Sequence, residues 1–417
     1  MELKRVVVTG LGTINPIGNN VKEFFKSLQA GISGASLITR FDITNFKCKV
    51  ACEVKNFVAE DYLDRKQAKK MDLFAQYAIA ASDEAVKDSG LTESNTNLER
   101  VGIVWASGIG GLTSLQEEVK GYTNGGCIPR FSPFFIPKMI IDIAAGHLSM
   151  RYGYKGPNFS TVSACASSNN AIIDALNLIR LGKADAILTG GSEASVTEAG
   201  MGGFASMRAI SSRNDDPKTA SRPYDADRDG FVLAEGSGAL MFEELEHAKA
   251  RGAKIYAEVL GGGMSADAYH LTAPHPEGDG ARRSMSEALI DANITTKDVD
   301  YINTHGTSTP VGDLSELKGV QALFGENIYD LNISSTKSMH GHLLGATGAV
   351  EAIACIMAIT ESVVPPTINV QNVDPALDSK INLTLDKAQK REINVAMSNT
   401  FGFGGHNSTV ILKKYNE

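Results

Sequence analysis

Short runs rich in β-branched residues alternate with helical patterns along the whole 417-residue chain and fall into two sets of five. The strands we predict in the first set are 6–10, 102–106, 158–162, 186–190 and 239–243; those in the second are 256–262, 301–304, 332–335, 395–400 and 409–413. This alternation is typical of α/β folds with a largely parallel sheet. Because the two sets look alike, we expect two similar halves, residues 1–254 and 255–417.

Two long helical patterns end at glycine. The segment 67–89 has an apolar stripe that includes Met71 and Phe74 and precedes Gly90, and the segment 168–181 precedes Gly182. A glycine after the last helical residue adopts the left-handed conformation that closes many helices. The sequence therefore predicts helices over both segments.

Composition narrows the class of protein. The five cysteines have no CxxC spacing and form no disulfide framework, so we expect a reducing, cytoplasmic location. The net charge of −8 argues against nucleic acid as a partner. No signal peptide precedes the first strand, and the longest apolar stretch, 349–359, is too short to cross a bilayer, so we expect no membrane partner.

Cys165 stands where a β-rich run gives way to a helix of small residues. The N–H groups and dipole of a helix N-terminus favour an anion, so we expect the thiol pKa to fall below its usual value of about 8.5. A lone cysteine is more often a buried small apolar residue. The Ala, Ser and Asn neighbours of Cys165 favour a nucleophile instead, and the other cysteines lack such neighbours.

Two histidines follow strand ends in the second half, His305 in Asn-Thr-His-Gly-Thr and His342 in His-Gly-His-Leu-Leu-Gly. A single histidine beside glycine is often an ordinary loop residue, but the presence of two such turns favours a functional role for both histidines. Neutral imidazoles donate hydrogen bonds to a developing enolate oxygen, and as bases they take up a thiol proton. Together with Cys165 they indicate thioester chemistry.

Two charges and a glycine-rich segment lie near these turns in the sequence. Lys337 is a lone cation just before the His342 turn, and Glu351 is the only charge in an apolar helical run. Because a buried carboxylate needs a partner, we expect Glu351 to support Lys337 rather than reach the surface. The segment Phe401-Gly-Phe403-Gly-Gly is either a plain turn or a hinge whose N–H groups form half of an oxyanion hole.

Signals for cofactors are weak. Gly10-Leu-Gly12 lacks the third glycine of a dinucleotide fingerprint, and no Walker sequence is present. His340, His342 and His406 are not accompanied by an HExxH or CxxC pattern. We expect neither a metal nor another cofactor.

A basic cluster of Arg65, Lys66 and Lys69 opens one helical pattern, and Arg208 lies further along the chain. On composition alone, a solvated helix end explains such a cluster more simply than a docking site for an acidic partner. Both interpretations remain open at this point.

The motifs as a set resemble a known family over essentially the whole chain. They are Thr161-Val-Ser-Ala-Cys165, Asn303-Thr-His305-Gly-Thr-Ser-Thr-Pro310-Val-Gly-Asp313, Ser334-Ser-Thr-Lys337-Ser-Met-His-Gly-His342 and Ser398-Asn-Thr-Phe401-Gly-Phe403. In this order they resemble the elongating β-ketoacyl-[acyl-carrier-protein] synthases of bacterial type II fatty-acid synthesis, and most of all their synthase II group.

The resemblance implies a thiolase-like fold, with two similar α/β halves stacked as a five-layer αβαβα core and a homodimer formed across the N-terminal half. It implies an acyltransferase that condenses an acyl chain held on Cys165 with malonyl-acyl carrier protein, giving 3-oxoacyl-acyl carrier protein and CO₂. Acyl carrier protein is then the partner, and no cofactor is required.

The resemblance also implies roles for individual residues. His305 and His342 would hold the malonyl thioester and stabilise the enolate, with Lys337 and Glu351 as a supporting pair. The backbone N–H groups of Cys165 and Phe403 would form the oxyanion hole, and Phe403 would act as a gate. Residues expected to contact substrate are Ile109, Phe135 (from the other subunit), Phe204, Thr307, Thr309 and Phe401, and those expected to dock the carrier protein are Arg65, Lys66, Lys69 and Arg208.

Two positions depart from the family pattern, and two other functions stay open. His340 stands where a small polar residue is common, and His406 where threonine is common. A ketosynthase of a type II polyketide-like pathway would have the same site. A Cys-His acyl-thioester hydrolase would use Asn303 or Asn399 as its third member, whereas a thiolase would need a second cysteine that the Phe401 segment lacks.

Overall fold

The computed structural model describes residues 3–416. Its strands are β1 (Val6–Ile14), β2 (Ser36–Leu37), β3 (Val50–Ala51), β4 (Val101–Ala106), β5 (Asn158–Thr161), β6 (Ala186–Glu193), β7 (Gly236–Glu244), β8 (Ala257–Ala266), β9 (Tyr301–Asn303), β10 (Asn332–Ser334), β11 (Val363–Val364), β12 (Gln389–Lys390), β13 (Val395–Gly402) and β14 (His406–Lys413). Its helices are α1 (Val21–Gln29), α2 (Arg65–Ala68), α3 (Leu73–Ser89), α4 (Leu112–Asn124), α5 (Phe135–Met139), α6 (Ile143–Tyr152), α7 (Ser167–Arg180), α8 (Glu198–Ser206), α9 (Leu245–Ala250), α10 (Asp279–Asp291), α11 (Pro310–Phe324), α12 (Lys337–His340) and α13 (Thr347–Glu361).

Ten strands form one hydrogen-bonded sheet in the order β10-β9-β13-β14-β8-β1-β7-β6-β4-β5. Each half contributes five neighbouring strands. Numbered from its own first strand, each half has the same order: third, second, fourth, fifth, first. The halves meet where β1 pairs with β8 through Val7–Glu258 and Val8–Ala257. All ten predicted strands are confirmed, and the repeated order supports our proposal that the halves divide after residue 254.

The expectation of a largely parallel sheet was wrong. Parallel pairs join β4 to β5 and β6, and β9 to β10 and β13, but β1, β7, β8 and β14 pair only in antiparallel fashion. The length of the connection explains why β13 and β14 are antiparallel. β13 and β14 are joined by a tight turn through Gly404 and Gly405, both at positive φ, and so short a connection joins only antiparallel strands.

The helices form layers around these strands. α7 and α13 contact strands of both halves and lie between them, whereas α3 and α6 cover the first half and α10 covers the second, with α11 packed on α10. The predicted helix 67–89 is interrupted, because the Asp72 carboxylate accepts the Phe74 N–H and starts α3 afresh. Gly90 closes α3 in the left-handed conformation, as predicted.

The apolar segment around α13 is longer than predicted. Leu344–Glu361 reaches 18 residues with a mean hydropathy of 1.4, so by length and composition it could cross a bilayer. However, 83% of it is buried inside the protein, between the two halves. That is the packing of a core helix.

Candidate active site

Cys165 lies on a tight turn between the end of β5 and the start of α7. Ala164 before it has a φ of +51°, a region that side-chain-bearing residues seldom adopt. The Ser167 hydroxyl accepts the Ser163 N–H, and the Ala166 N–H binds the Ser163 carbonyl. The turn therefore presents the thiol at the N-terminal end of the buried helix α7, where 8% of Cys165 remains exposed.

The thiol pKa differs from the expectation. Burial raises the pKa of Cys165 to about 12, although Lys337 and the N–H groups of Phe403 and Cys165 act in the opposite direction. Desolvation of the thiolate outweighs the helix N-terminus in this setting. The resting sulphur is therefore a thiol, and a base must take its proton as it attacks.

His342 is placed to be that base. Its Nε2 lies 3.0 Å from the Cys165 Sγ, and its Nδ1 lies 3.0 Å from the Thr347 hydroxyl. The His342 N–H binds the Val232 carbonyl, and the His342 carbonyl accepts the Ala234 N–H, which fixes the backbone. Because a hydroxyl both donates and accepts, Thr347 supports either neutral tautomer of the imidazole.

His305 follows β9 and faces the same thiol. Its ring is nearly perpendicular to that of His342, and the centroids of the two rings lie 5.2 Å apart. The centroid of the His305 ring lies 5.7 Å from that of Phe401. The Glu316 carboxylate accepts the N–H groups of His305 at 2.9 Å and Gly306 at 2.8 Å, which holds this turn. Burial, reinforced by Lys337, holds the pKa values of His305 and His342 well below their usual range, so both rings are neutral.

Lys337 and Glu351 form the predicted pair behind the histidines. The Lys337 Nζ lies 2.6 Å from Oε1 of Glu351 and 3.5 Å from the Thr304 carbonyl. Both side chains are almost fully buried, at 1% and 0% exposure. Burial raises the pKa of Glu351, and Lys337 opposes this rise. At so short a distance we interpret the pair as ionised.

The glycine-rich segment after Phe401 reaches the nucleophile. The backbone N–H groups of Phe403 and of Cys165 itself both favour the thiolate at Sγ. A Cβ at Gly402 would lie 2.7 Å from the Ser163 carbonyl oxygen and 3.0 Å from the Cys165 nitrogen. Glycine is therefore required at 402, and the role of the two N–H groups as an oxyanion hole stays a prediction.

A cavity of about 550 Å³ opens at the thiol. The predicted residues that line it are Cys165, His305, His342, Ile109, Phe204, Thr307, Thr309, Phe401, Phe403 and Arg208. Phe135 does not line it and instead stacks on Phe131 at 5.6 Å, so its contribution from a partner subunit stays a prediction. Arg65 and Lys69 line a separate hollow with Lys138, and Lys66 is exposed beside them.

Sequence reasoning missed several residues that hold the site. The buried Glu193 carboxylate accepts the N–H groups of Gly108 at 2.7 Å, Ile109 at 3.2 Å and Gly345 at 3.1 Å, joining two loops of the cavity. Glu316 and Thr347 act similarly beside His305 and His342. For Glu193 and Glu316 the sequence offered one signal, an acidic residue at the end of an apolar strand or within an apolar helix. That signal does not reveal which groups the carboxylate binds.

His340 and His406 have different environments. His340 is fully buried, with Nδ1 at 2.8 Å from the Gly341 carbonyl and Nε2 at 2.9 Å from the Thr336 hydroxyl. Since a carbonyl only accepts, Nδ1 carries the proton and the Thr336 hydroxyl donates to Nε2. The side chain thus ties the residue before α12 to the residue after it. Burial lowers the pKa of His340 to about 3. His406 is exposed.

Neither asparagine completes a Cys-His-Asn set. Asn303 donates to the Thr336 hydroxyl, and Asn399 donates to Glu316. Within residues 3–416, no hydrogen bond joins either amide to a ring nitrogen of His305 or His342. This arrangement does not support the hydrolase alternative.

Comparison with known proteins agrees with this geometry. Residues 3–248 match the family model "Beta-ketoacyl synthase, N-terminal domain", and residues 256–371 match "Beta-ketoacyl synthase, C-terminal domain". The chain is 49% identical over 415 residues to 3-oxoacyl-[acyl-carrier-protein] synthase 2 of Synechocystis sp., covering 100% of this chain and 99% of that protein. It is 48% identical over 412 residues to the synthase 2 of Staphylococcus aureus strain N315, with 99% of each covered.

Solved structures show the same fold. A type II PKS ketosynthase in complex with its acyl-carrier protein superposes with a TM-score of 0.92 at 32% identity, covering 99% of this chain and 100% of that one. A β-ketoacyl synthase from Burkholderia phymatum STM815 gives 0.91 at 33% identity with the same coverage. The fold is thus thiolase-like, as predicted. With both family models matched and full-length relatives near 48% identity, the chain belongs to the β-ketoacyl synthase family.

Proposed function

We propose that the protein elongates fatty acids by decarboxylative condensation of an acyl chain on Cys165 with malonyl-acyl carrier protein. The observation that carries this proposal is the convergence of Cys165, His305 and His342, whose ligand atoms all lie within 4.8 Å of one another. The product is 3-oxoacyl-acyl carrier protein, two carbons longer, together with CO₂.

The first half-reaction loads the enzyme. The Cys165 sulphur attacks the carbonyl of an acyl thioester on the carrier protein while His342 Nε2 takes the thiol proton across 3.0 Å. The N–H groups of Cys165 and Phe403 stabilise the oxyanion. Collapse of this intermediate expels the carrier thiolate, which takes the proton from His342 and leaves as a thiol.

The second half-reaction makes the carbon–carbon bond. Malonyl-carrier protein loses CO₂, and its electron pair becomes an enolate whose oxygen accepts hydrogen bonds from His305 and His342. The enolate carbon attacks the Cys165 thioester, and the Cys165 sulphur leaves as a thiolate, which takes up one proton from solvent and returns to the resting thiol. Removing one such donor costs about 10²–10³ in rate at comparable sites. The two tautomers that Thr347 permits let His342 serve as acceptor in the first half and donor in the second.

Identity favours fatty-acid elongation over a polyketide pathway. The chain is 48–49% identical to synthases named 3-oxoacyl-[acyl-carrier-protein] synthase 2, but 32% and 34% identical to the ketosynthases of the type II PKS complex and of the ishigamide system. The active-site residues do not separate the two pathways. The product therefore decides between them.

A homodimer fits the exposed edge of the sheet. β5 is paired on one side only, and Phe159 on it and Val162 after it are 39% and 57% exposed. An unpaired strand edge is a template for pairing, and a twofold axis lets identical edges meet. α5, which carries Phe135, packs on α6 next to this edge, so Phe135 is placed to reach the partner's cavity.

The basic cluster is proposed as the docking surface for the acidic carrier protein. Arg65, Lys66 and Lys69 are exposed on and beside α2, and Arg208 is exposed at the rim of the catalytic cavity. Charged rims of this kind steer association more than they add affinity. We place the protein in the cytoplasm, where such a carrier protein is available.

Intact-protein mass spectrometry tests the function. The protein is mixed with a saturated acyl-carrier protein, and malonyl-carrier protein is added afterwards. We expect a gain of one acyl group mapped to Cys165, then its discharge into a 3-oxoacyl product. Cys165→Ala should show neither step, whereas Cys127→Ser, a change at an exposed cysteine, should show both. Discharge by water alone would establish a hydrolase and refute the proposal.

A further inference from the structure

The three reactive side chains have the geometry of a partial metal site. Sγ of Cys165 and one nitrogen of each of His305 and His342 lie within 4.8 Å of one another, on three different parts of the fold. A tetrahedral Zn²⁺ holds thiolate sulphur at about 2.3 Å and imidazole nitrogen at about 2.0–2.1 Å, which puts ligand atoms roughly 3.3–3.7 Å apart. Shifts of a few tenths of an ångström to about one would bring these three atoms to that spacing.

We propose that the unacylated enzyme binds Zn²⁺, or a divalent metal of similar preference, on Cys165, His305 and His342, and that the bound metal blocks acylation. On binding, the S–H bond breaks, a Zn–S bond forms and the proton passes to solvent. No redox change is involved. The site is the one used in the proposed function, but metal binding goes beyond that function.

The surroundings of the cluster suit a metal ligand set. The Thr347 hydroxyl accepts the N–H of His342 Nδ1 in the tautomer whose Nε2 lone pair faces Cys165, which is how metal-bound histidines are usually held. Among residues 3–416, the His305 ring has no hydrogen-bonding partner that competes for it. The cavity of about 550 Å³ leaves a fourth position open to water.

The nearby charges do not exclude a cation. The Lys337 ammonium is the positive group behind the cluster, and Glu351 compensates it at 2.6 Å. The thiolate cancels one charge of the metal. The buried side chains of Glu193 and Glu316 hold the loops next to Cys165 and His305. Glu193 also raises the pKa of Cys165, which is the effect of a negative charge near the thiol.

The test uses Co²⁺ as a spectroscopic probe on the tag-free, full-length protein. We expect one equivalent of Co²⁺ to give tetrahedral visible bands with a thiolate-to-cobalt charge-transfer band, and Zn²⁺ to abolish both. Cys165→Ser should lose the charge-transfer band, and His305→Ala should weaken Co²⁺ binding at least 10-fold. Cys127→Ser and His275→Asn, at an exposed cysteine and a cavity-wall histidine, are the controls and should bind as wild type.

A spectrum that survives Cys165→Ser, or one that is lost in Cys127→Ser, would overturn the proposal, as would the absence of tetrahedral bands with excess Co²⁺. We also expect Zn²⁺ to stop acyl transfer reversibly, with activity restored by a chelator, and the acylated enzyme to bind no Co²⁺. Because the spectrum is recorded without substrate, failure of metal binding is distinguishable from failure of the condensing activity.

Discussion

Separating the buried pair Lys337–Glu351 gives a strong test of the electrostatics of the site. Both side chains are buried, and their charged atoms lie 2.6 Å apart. If Lys337→Met leaves Glu351 alone, the carboxyl group must be neutral inside the protein. At pH 7 this costs up to about 4 kcal/mol, from an unperturbed pKa of about 4.3 and about 1.36 kcal/mol per pKa unit. Glu351→Leu forces Lys337 to be neutral, at a cost of up to about 5 kcal/mol from an unperturbed pKa of about 10.4.

The two variants should depend on pH in opposite ways. In Lys337→Met the folded state holds a proton on Glu351 that the unfolded state releases, so stability relative to wild type falls by about 1.4 kcal/mol per pH unit above about pH 4.3. In Glu351→Leu the unfolded state holds the extra proton on Lys337, so stability relative to wild type rises with pH at a similar slope up to about pH 10.4. The double variant should lack both slopes and remain within about 2 kcal/mol of wild type, because two apolar side chains replace two desolvated charges.

Urea unfolding at a fixed protein concentration, repeated between pH 5.5 and pH 9, measures these free energies. A double-mutant cycle should give a coupling energy above about 3 kcal/mol. Slopes parallel to wild type in both single variants would refute the claim that each lone partner is forced to be neutral, because then neither Glu351 nor Lys337 changes its protonation on folding. A coupling energy below about 1 kcal/mol would refute the claim that the two side chains stabilise one another.

Three further predictions concern single contacts. Thr347→Val removes the partner of His342 Nδ1 and should slow acyl transfer about 10-fold with a smaller effect on stability, as single-turnover kinetics would show; an unchanged rate would contradict the tautomer argument. Charge reversal at Lys69 and Arg208 should raise KM for the carrier protein at low ionic strength with kcat unchanged, whereas Lys183→Glu, at the opposite end of the strands, should not. His340→Phe should lower the free energy of unfolding by about 1–3 kcal/mol and His340→Asn, which keeps a donor for the Gly341 carbonyl, by less; equal losses would rule out that hydrogen bond.

The strands were predictable because their signal is local. β-branched runs bounded by turn residues place all ten within a few residues of their observed bounds. Pairing direction was not predictable in the same way, because β1 finds β7 and β8 more than 200 residues away. Small residues such as Gly190 and Gly238 let the strands and the buried helices approach one another closely. They are compatible with parallel and with antiparallel pairing, so they do not indicate the direction.

The reactive side chains were predictable for a different reason. Cys165 and His305 each follow a predicted strand end among small residues, and strand ends are where loops are held rigidly enough for chemistry. His342 was also expected to follow a strand end, but it follows the short helix α12, which two residues separate from β10. Their environment was not predictable. Glu193 accepts N–H groups from residues 108 and 345, and this contact exists only after the two halves have packed. The direction of the Cys165 pKa shift was not predictable for the same reason. The helix N-terminus is a local feature of the sequence, whereas the depth of burial depends on how the whole chain packs.

Burial raises the pKa of the Cys165 thiol and lowers those of the two histidines, and Lys337 acts on all three groups. Lys337 lowers the pKa of Cys165 and also those of His305 and His342, since a nearby cation stabilises a thiolate and destabilises an imidazolium. A site built only to form a thiolate–imidazolium pair would gain nothing from that cation. A site that must also offer two neutral N–H donors to an enolate does benefit from the cation. The cation keeps the imidazoles neutral, and an imidazolium would protonate the carbanion. The position of Lys337 therefore favours the carbon–carbon bond-forming step, and Glu351 holds the cation there at 2.6 Å without exposing it to the substrate.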